Sequence, residues 1–466
     1  MSIKNVYEFI KACLLVILLT VSVQEAQALN IYFPQEQNLT VKEEGIFFSG
    51  KISKKETVSI NGDTIKPAKN GAFSYCVPLK EGENIFAVQT KDWFNNKETI
   101  KYTIKRVSPK HDEYYNKFIE SEKAYYFTKR DNVVLRSTPV DAGMNRLGYL
   151  PKDTKVVVDG IQNEFSRIYL SKNNYAWAFT KDLVKTEGTD EFVYEPKTLN
   201  STEQIKTAND ITYVFELSEN TPYSAVVDDN KLVITIYNLD NLSEDYTKEI
   251  TLGKFPRYSV CMKNGVLYAT VKKLPFDEAN YSNKKVKIVI DPGHGGKEFG
   301  AIGCLGHKEK VLNLDVGLKL KKILEQHGFN VVMTRETDEF VSLNDRVKYA
   351  QDYDALIFVS IHLNSVPISD NPNLNEGSIT FYFNPQGKNL AQEINKMLSH
   401  DLHTVDCGVS QASWAVVRPT EYIGVLTELA YLVNPKDVNI YRQKKFPQTA
   451  AEAIYKGLVN YIHSEL

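Results

Sequence analysis

Four residues in the C-terminal part of this chain carry the side chains for metal-assisted hydrolysis: His294, Glu309, His362 and Glu428, separated by 15, 53 and 66 residues. Two imidazoles and one carboxylate are the three-ligand set of a catalytic zinc site, which leaves a fourth position open to water. Zinc held in this way lowers the pKa of bound water to about 7 and polarises a carbonyl as a Lewis acid. Hydrolysis of an amide also needs a group that takes the water proton and returns it to the leaving amine, and Glu428 suits that role. No HExxH segment is present, so only the fold can unite these residues. Each has a plainer competitor. His307 lies two residues before Glu309 and shares its side in an extended loop, so the residues alone leave both open as ligands. His294 and His362 also read as hydrogen-bonded histidines at strand ends, and Glu298 and Glu336 as solvated carboxylates. Asp291 and Asn364 either orient a ligand or cap a turn. Arg418 either binds a substrate carboxylate or forms a surface salt bridge.

The elements that must position these groups follow from the pattern after Lys285. The stretch VKIVIDPGHGG (286–296) is a buried strand ending in a glycine-rich turn that carries His294. A helix is predicted at 310–327, with Leu312, Val316, Leu320, Ile323 and Leu324 as its apolar stripe, broadened by Leu314 and Leu318. Strands at 330–335, 355–363, 378–383, 414–418 and 425–431 alternate with helices at 343–352 and 388–403. A final helix presents Phe446, Ala450, Ala453, Ile454, Gly457, Leu458 and Tyr461 on one face. This alternation implies an α/β domain over 285–466, with a mainly parallel sheet flanked by helices. Ligands in such domains sit at the carboxyl ends of the strands.

Several dispersed motifs then point the same way: IVIDPGHGG, KEK at 308–310 with Asn313-Leu314, TRETDEFVSLNDR at 334–346, SIHLNS at 360–365 and VLTELAYLVNP at 425–435. Together they resemble the catalytic domain of the zinc-dependent N-acetylmuramoyl-L-alanine amidases of the type-3 family. The resemblance implies zinc ligands at His294, Glu309 and His362 and a catalytic Glu428. It also implies cleavage of the amide between N-acetylmuramic acid and the L-alanine of the stem peptide in peptidoglycan. Some members of the family carry an inserted helix that covers the zinc. The segment 364–377 is too short here for such a helix and its connections, so control is expected from the preceding modules. Two other readings compete: a zinc peptidase acting within the stem peptide, and a non-catalytic wall-binding protein.

The rest of the chain reads as delivery. Lys4 and Lys11 precede an apolar run over 12–23, and Ala26-x-Ala28 suits cleavage before Leu29, so residues 1–28 read as a signal peptide and the mature chain as exported to the periplasm, cell wall or cell surface. Contact with a membrane is expected only through that signal. A net charge of −2 gives no reason to expect a nucleic-acid partner. Residues 29–106 are short strands punctuated by Asn61-Gly62 and Asn70-Gly71, and resemble an immunoglobulin-like β-sandwich. Residues 107–122 read as a linker or short helix. Residues 123–186, with VLRSTP at 134–139, Leu147-Gly148 and Trp177, resemble a bacterial SH3-like β-barrel in which Leu135 and Trp177 are core residues. Residues 190–284 form a further β-rich domain, weakly similar to wall-targeting domains, with a turn at Asp228-Asp229-Asn230. Cys76, Cys261, Cys304 and Cys407 show no CxxC spacing and read as buried small hydrophobes, with a Cys304–Cys407 bridge open.

Overall fold

The computed structural model describes residues 29–53, 56–92, 94–107, 117–171, 174–186, 197–237, 239 and 245–466. The signal-peptide reading and most of the linker reading fall outside these residues. The chain divides into two compact units. Of the described residues, one comprises those from 29 to 107 with the loops 303–306 and 367–373; the other comprises those within 117–302, 307–366 and 374–466.

In the first unit two sheets face each other. Leu29–Phe33, Gly45–Ile52 and Ala72–Pro78 form a three-stranded sheet, and five strands form the second, in the order Asn38–Val41, Lys97–Arg106, Gly82–Lys91, Thr57–Ile60 and Asp63–Ile65. Alternating residues of both sheets, among them Ile46, Phe48, Val58, Phe73, Val88 and Ile104, make one core. At Asn61-Gly62 both residues take positive φ, 49° and 96°, as a two-residue hairpin turn requires.

The second unit opens with a seven-stranded sheet, in the order Arg146–Leu150, Val133–Arg136, Asn174–Phe179, Phe165–Ser171, Lys155–Gln162, Phe118–Thr128 and Leu183–Lys185. Its strand Phe118–Thr128 takes up residues expected to be linker, because Phe118, Ile119 and Glu120 find ladder partners on Lys155–Gln162. Leu135 is in the core, whereas Trp177 is not. It alternates with the buried Ala176 and Ala178 and packs edge-on against Phe118 on the opposite face. Next come a four-stranded and a three-stranded sheet around Phe215, Leu232, Ile234 and Leu267, with the expected turn at Asp229-Asn230 in left-handed geometry.

The C-terminal domain is α/β. We label its elements β1 (Lys287–Pro292), α1 (Glu309–Gln326), β2 (Asn330–Met333), α2 (Leu343–Asp352), β3 (Ile357–Asn364), β4 (Ser378–Tyr382), α3 (Lys388–Leu402), β5 (Asp406–Gln411), β6 (Ile423–Tyr431), α4 (Val438–Tyr441) and α5 (Phe446–Glu465). The sheet order is β2-β1-β3-β6-β4-β5. Every neighbouring pair is parallel except β6 with β4. Strands β1 and β3 are buried along most of their length, as strands covered on both faces must be. No described helix is long and apolar enough to cross a membrane.

Three further expectations are corrected. The strand at 414–418 is a 3-10 turn at Ala415–Val417, whose carbonyls are satisfied by side chains: Tyr422 donates to Val416 O, and Asn384 donates to Val417 O and Arg418 O. The edge strand is instead β5, DCGVSQ, whose residues are all exposed or half-buried and carry little strand propensity. Leu318 points to solvent, at 40% exposure, because the buried side of α1 runs through Asn313, Val316, Gly317, Leu320 and Leu324. Of the four cysteines only Cys304 is fully buried; Cys261 and Cys407 are exposed, and none forms a disulfide. The Cys304 thiol lies 3.2 Å from Ser74 Oγ, and the Cys407 thiol donates to Glu376 O.

The expected face of α5 is buried at all seven positions, and Gly457 lets α5 approach α3. A Cβ at Gly457 would lie 2.5 Å from Ile394 Cα, a backbone atom that cannot rotate away. Gly457→Val should therefore destabilise this domain by about 1–3 kcal/mol through overpacking, measured as a lowered calorimetric unfolding midpoint. An unchanged midpoint would contradict this packing.

Candidate metal and catalytic site

Register brings the site together. Pairing of β1 with β3 aligns Pro292 with Ile361, and pairing of β3 with β6 sets His362 directly beside Glu428. Neighbouring strands lie about 4.8 Å apart and residues in register share a face, so the imidazole and the carboxylate emerge side by side. His294 follows β1, and Glu309 opens α1, where the helix dipole favours a negative charge. The sequence places these four residues in widely separated segments; the sheet gathers them at one rim.

His294, Glu309 and His362 offer ligand atoms that all lie within 4.8 Å of one another, so the cluster can hold a metal ion. His294 Nε2 is 3.2 Å from Glu309 Oε2, and His362 Nδ1 is 2.9 Å from Glu309 Oε1. The two rings stand nearly perpendicular, with centroids 5.0 Å apart. The Glu309 carboxylate also accepts from Ala301 N (2.8 Å), Leu363 N (3.3 Å) and Asn313 Nδ2 (3.2 Å). Burial alone would push its carboxyl up, but the two imidazoles outweigh burial and hold it well below the ordinary range. Glu428 has the opposite fate. Burial, with the neighbouring Glu309 charge, raises its carboxyl well above the ordinary range, and its Oε2 is buried with no hydrogen-bond partner. Two adjacent carboxylates thus have environments that drive them apart, the pattern that separates a permanently charged ligand from a group able to carry a proton.

The turn after β1 is built for close approach. A Cβ at Gly293 would lie 2.1 Å from the His362 ring, and one at Gly300 would lie 2.4 Å from Glu309 Oε2, so only glycine lets the backbone pass at either point. His294 itself takes φ 59°, a left-handed conformation unfavourable for a side-chain-bearing residue, and it persists because its surroundings hold it. Buried arginines supply that hold. Arg346 donates to His294 O (2.8 Å), to Pro292 O (2.9 Å) and to Asp291 Oδ1 (2.5 Å). Arg335 donates to Pro292 O, Gly293 O and Lys310 O, which ties the turn to α1. Asp291 is completed by Thr334 Oγ1 and Ser360 Oγ.

The competing assignments now separate. His307 is not among the clustered donors; its ring packs edge-on against Tyr441. Glu336 is exposed and pairs with Lys321, whereas Glu298 lines the cleft from an exposed position. Asn364 lines the cleft, and its Oδ1 accepts from the neighbouring Ser365 N. Asp291 touches no imidazole among its hydrogen bonds and acts on His294 only through Arg346. Arg418 has no ion pair among the described residues. It donates to Ser413 O and lies towards Ser413 Oγ. The residues missed in the sequence are Arg335 and Arg346. Both lie in the stretch TRETDEFVSLNDR, and the signal was an arginine just past an apolar strand and another inside a helix with an apolar side. The cluster and Glu428 line a cleft of about 810 Å³, whose other walls include Phe340, Ser342, Asn344, Trp414 and Val416. Segment 365–377 contributes only the 3-10 turn Pro372–Leu374 and no α-helix.

A mainly parallel sheet flanked by helices, with a histidine–carboxylate–histidine cluster able to hold a metal ion and a further carboxylate in an open cleft, is the arrangement of a hydrolase domain. Residues 288–460 match the family N-acetylmuramoyl-L-alanine amidase. N-acetylmuramoyl-L-alanine amidase LytC of Bacillus subtilis is 38% identical over 178 residues, covering 37% of this chain and 35% of that protein. The sporulation-specific N-acetylmuramoyl-L-alanine amidase of the same organism is 33% identical over 178 residues, 37% of this chain and 67% of its own length. Among solved structures, the N-acetylmuramoyl-L-alanine amidase AmiC2 of Nostoc punctiforme is 34% identical and covers 39% of this chain and 99% of that one, with a TM-score of 0.37. The chain belongs to the N-acetylmuramoyl-L-alanine amidase family through its C-terminal domain, and it spans little more than a third of LytC's length.

Removing Arg346 would leave Asp291 charged and buried and free the His294 turn. Arg346→Met is expected to cost about 3–5 kcal/mol, while adding Asp291→Asn should restore part of it. Denaturant unfolding of both variants checks this, and a single-variant cost below about 1 kcal/mol would remove the clamp.

Proposed function

We propose that this protein is an exported peptidoglycan hydrolase that cleaves the amide between N-acetylmuramic acid and the L-alanine of the stem peptide, with zinc held by His294, Glu309 and His362. The observation that carries the proposal is the convergence of these three donors within 4.8 Å beside Glu428, in an open cleft of about 810 Å³. Family membership of residues 288–460 supports the bond that is cut. The donor set fits the metal: two imidazole nitrogens and one carboxylate are the composition of catalytic zinc sites, and no thiol stands near. When bound, zinc supplies a Lewis acid and acidifies water at the reacting carbonyl.

The chain's own groups do the rest. The Glu309 carboxyl is held well below the ordinary range despite its burial, because two imidazoles and three N–H groups face it. Asn313 also donates to Gly293 O, so the ligand carboxylate and the His294 turn move as one. Glu428, with one oxygen unpartnered and its affinity for a proton raised, takes a proton from the attacking water and passes it to the departing alanine nitrogen. The new carboxylate stays on the lactyl group and the stem peptide leaves with a free amine. The β modules between residues 29 and 284 are proposed to hold the enzyme at the wall.

Digestion of purified sacculi, followed by mass spectrometry, is expected to release stem peptides with free N-terminal alanine. Glu428→Gln should retain zinc and lose about 10²–10⁴ in kcat; undiminished hydrolysis would sink the assignment of the base. Chelation should abolish the reaction and zinc should restore it, whereas full activity in a preparation free of metal would remove the ligand set. Peptides cut inside the stem would replace the amidase with a peptidase.

A further inference from the structure

We infer that the depression between Arg146 and Arg418, next to the catalytic cleft, is a carboxylate-binding subsite for the peptide part of the substrate. The inference rests on the proposed hydrolysis of muramoyl peptides and adds to it a residue from outside the family domain.

The depression encloses about 310 Å³ and is lined by Asp141, Gly143 and Arg146 from the seven-stranded sheet module and by Ser413, Trp414 and Arg418 from the C-terminal domain. The two contributions are closely fitted. A Cβ at Gly143, where φ is 68°, would lie 2.5 Å from Ser413 Cβ, so the 138–145 loop seats against the 3-10 turn only with glycine there. Trp414 lines both this depression and the cleft of Glu428 and the metal ligands, so one bound molecule can reach from one to the other. Its indole is 49% exposed and packs edge-on against Phe381, which leaves a face for an extended peptide.

The charge balance identifies the ligand. Arg146 has no ion pair or side-chain hydrogen bond among the described residues, and its Nε is buried without a partner. Arg418 is half-buried and has only Ser413 as partner. Burial lowers its guanidinium from the ordinary arginine value and the nearby positive Arg146 adds to this. The one carboxylate present, Asp141, is bonded to Arg136 at 2.6 Å and is thereby largely neutralised. Two neighbouring guanidiniums with most of their N–H donors unspent form a site for an oxyanion, and arginine's planar fork matches a carboxylate. Phosphate would match the fork as well, but continuity with the reacting centre through Trp414 favours a carboxylate on the same molecule as the scissile bond.

The test uses the full chain carrying Glu428→Gln, so that turnover is slow beside the binding measurement, and two synthetic muramoyl peptides that differ only in whether the peptide carboxylates are free or amidated. Calorimetry should show the free acid binding about tenfold tighter, and Arg146→Gln with Arg418→Gln should abolish the difference. Arg418→Lys, which keeps the charge, should retain part of it. Equal or unmeasurable binding of the two peptides, or a preference that survives the double substitution, overturns the subsite. So does a phosphate monoester that displaces neither peptide's preference but binds Arg146 and Arg418 more tightly than both. In the active enzyme the same preference should fall on KM rather than kcat. Because the binding comparison needs no hydrolysis, failure to cleave either peptide counts against the amidase reading alone.

Discussion

The constraint on which this structure turns is the burial of one negative charge, that of Glu309. A carboxylate removed from water is tolerated only when donors replace its hydration. Here the polar groups that face it come from every part of the site: imidazole nitrogens after β1 and in β3, and as donors the backbone N–H groups of Ala301 and Leu363 and the amide of Asn313. Satisfying Glu309 therefore fixes the start of α1, the loop before it and the end of β3 relative to one another. Burial raises the proton affinity of Glu428, whose Cα is in register with that of His362, and the same Glu309 charge adds to it. One buried charge thus gathers the two histidines and adds to the raised proton affinity of Glu428.

Behind this lies a second layer of buried charge that never reaches the substrate. Arg335 and Arg346 give their donors to the carbonyls of Pro292, Gly293 and His294, where the chain leaves the ladder and takes a left-handed turn. A turn that leaves carbonyls inside must find donors for them, and guanidinium groups can serve several at once. The Asp291–Arg346 pair neutralises the charge this brings inside. Function and folding are linked at this point: the strained histidine is affordable only because the arginines are already in place.

Much of this was legible in the sequence. The helices at 309–326, 343–352 and 388–402 lie within one or two residues of their predicted positions, and the face expected of the last helix lies within 446–465, because long amphipathic periodicity is a strong local signal. Strands β1, β3 and β6 read clearly as apolar runs. Edge strand β5 did not, because an exposed strand has no apolar alternation to reveal it, and the β-branched Val416 and Val417 drew the strand to a turn that side chains stabilise. Trp177 was misplaced since alternation alone does not say which face of a sheet is inside.

What the sequence determined by itself was the local structure, the chemical inventory and, through dispersed motifs in order, the family. The tertiary structure alone decided which carboxylate and which histidine meet. His307 and Glu309 are two residues apart, yet only Glu309 turns into the cluster, because helix α1 starts there and its first turn points at the rim. It also decided that Arg335 and Arg346 hold the His294 turn and that Arg146 and Arg418 line one depression. Their importance rests on which carbonyls or cavities they face, a matter of distance in space that no spacing along the chain encodes.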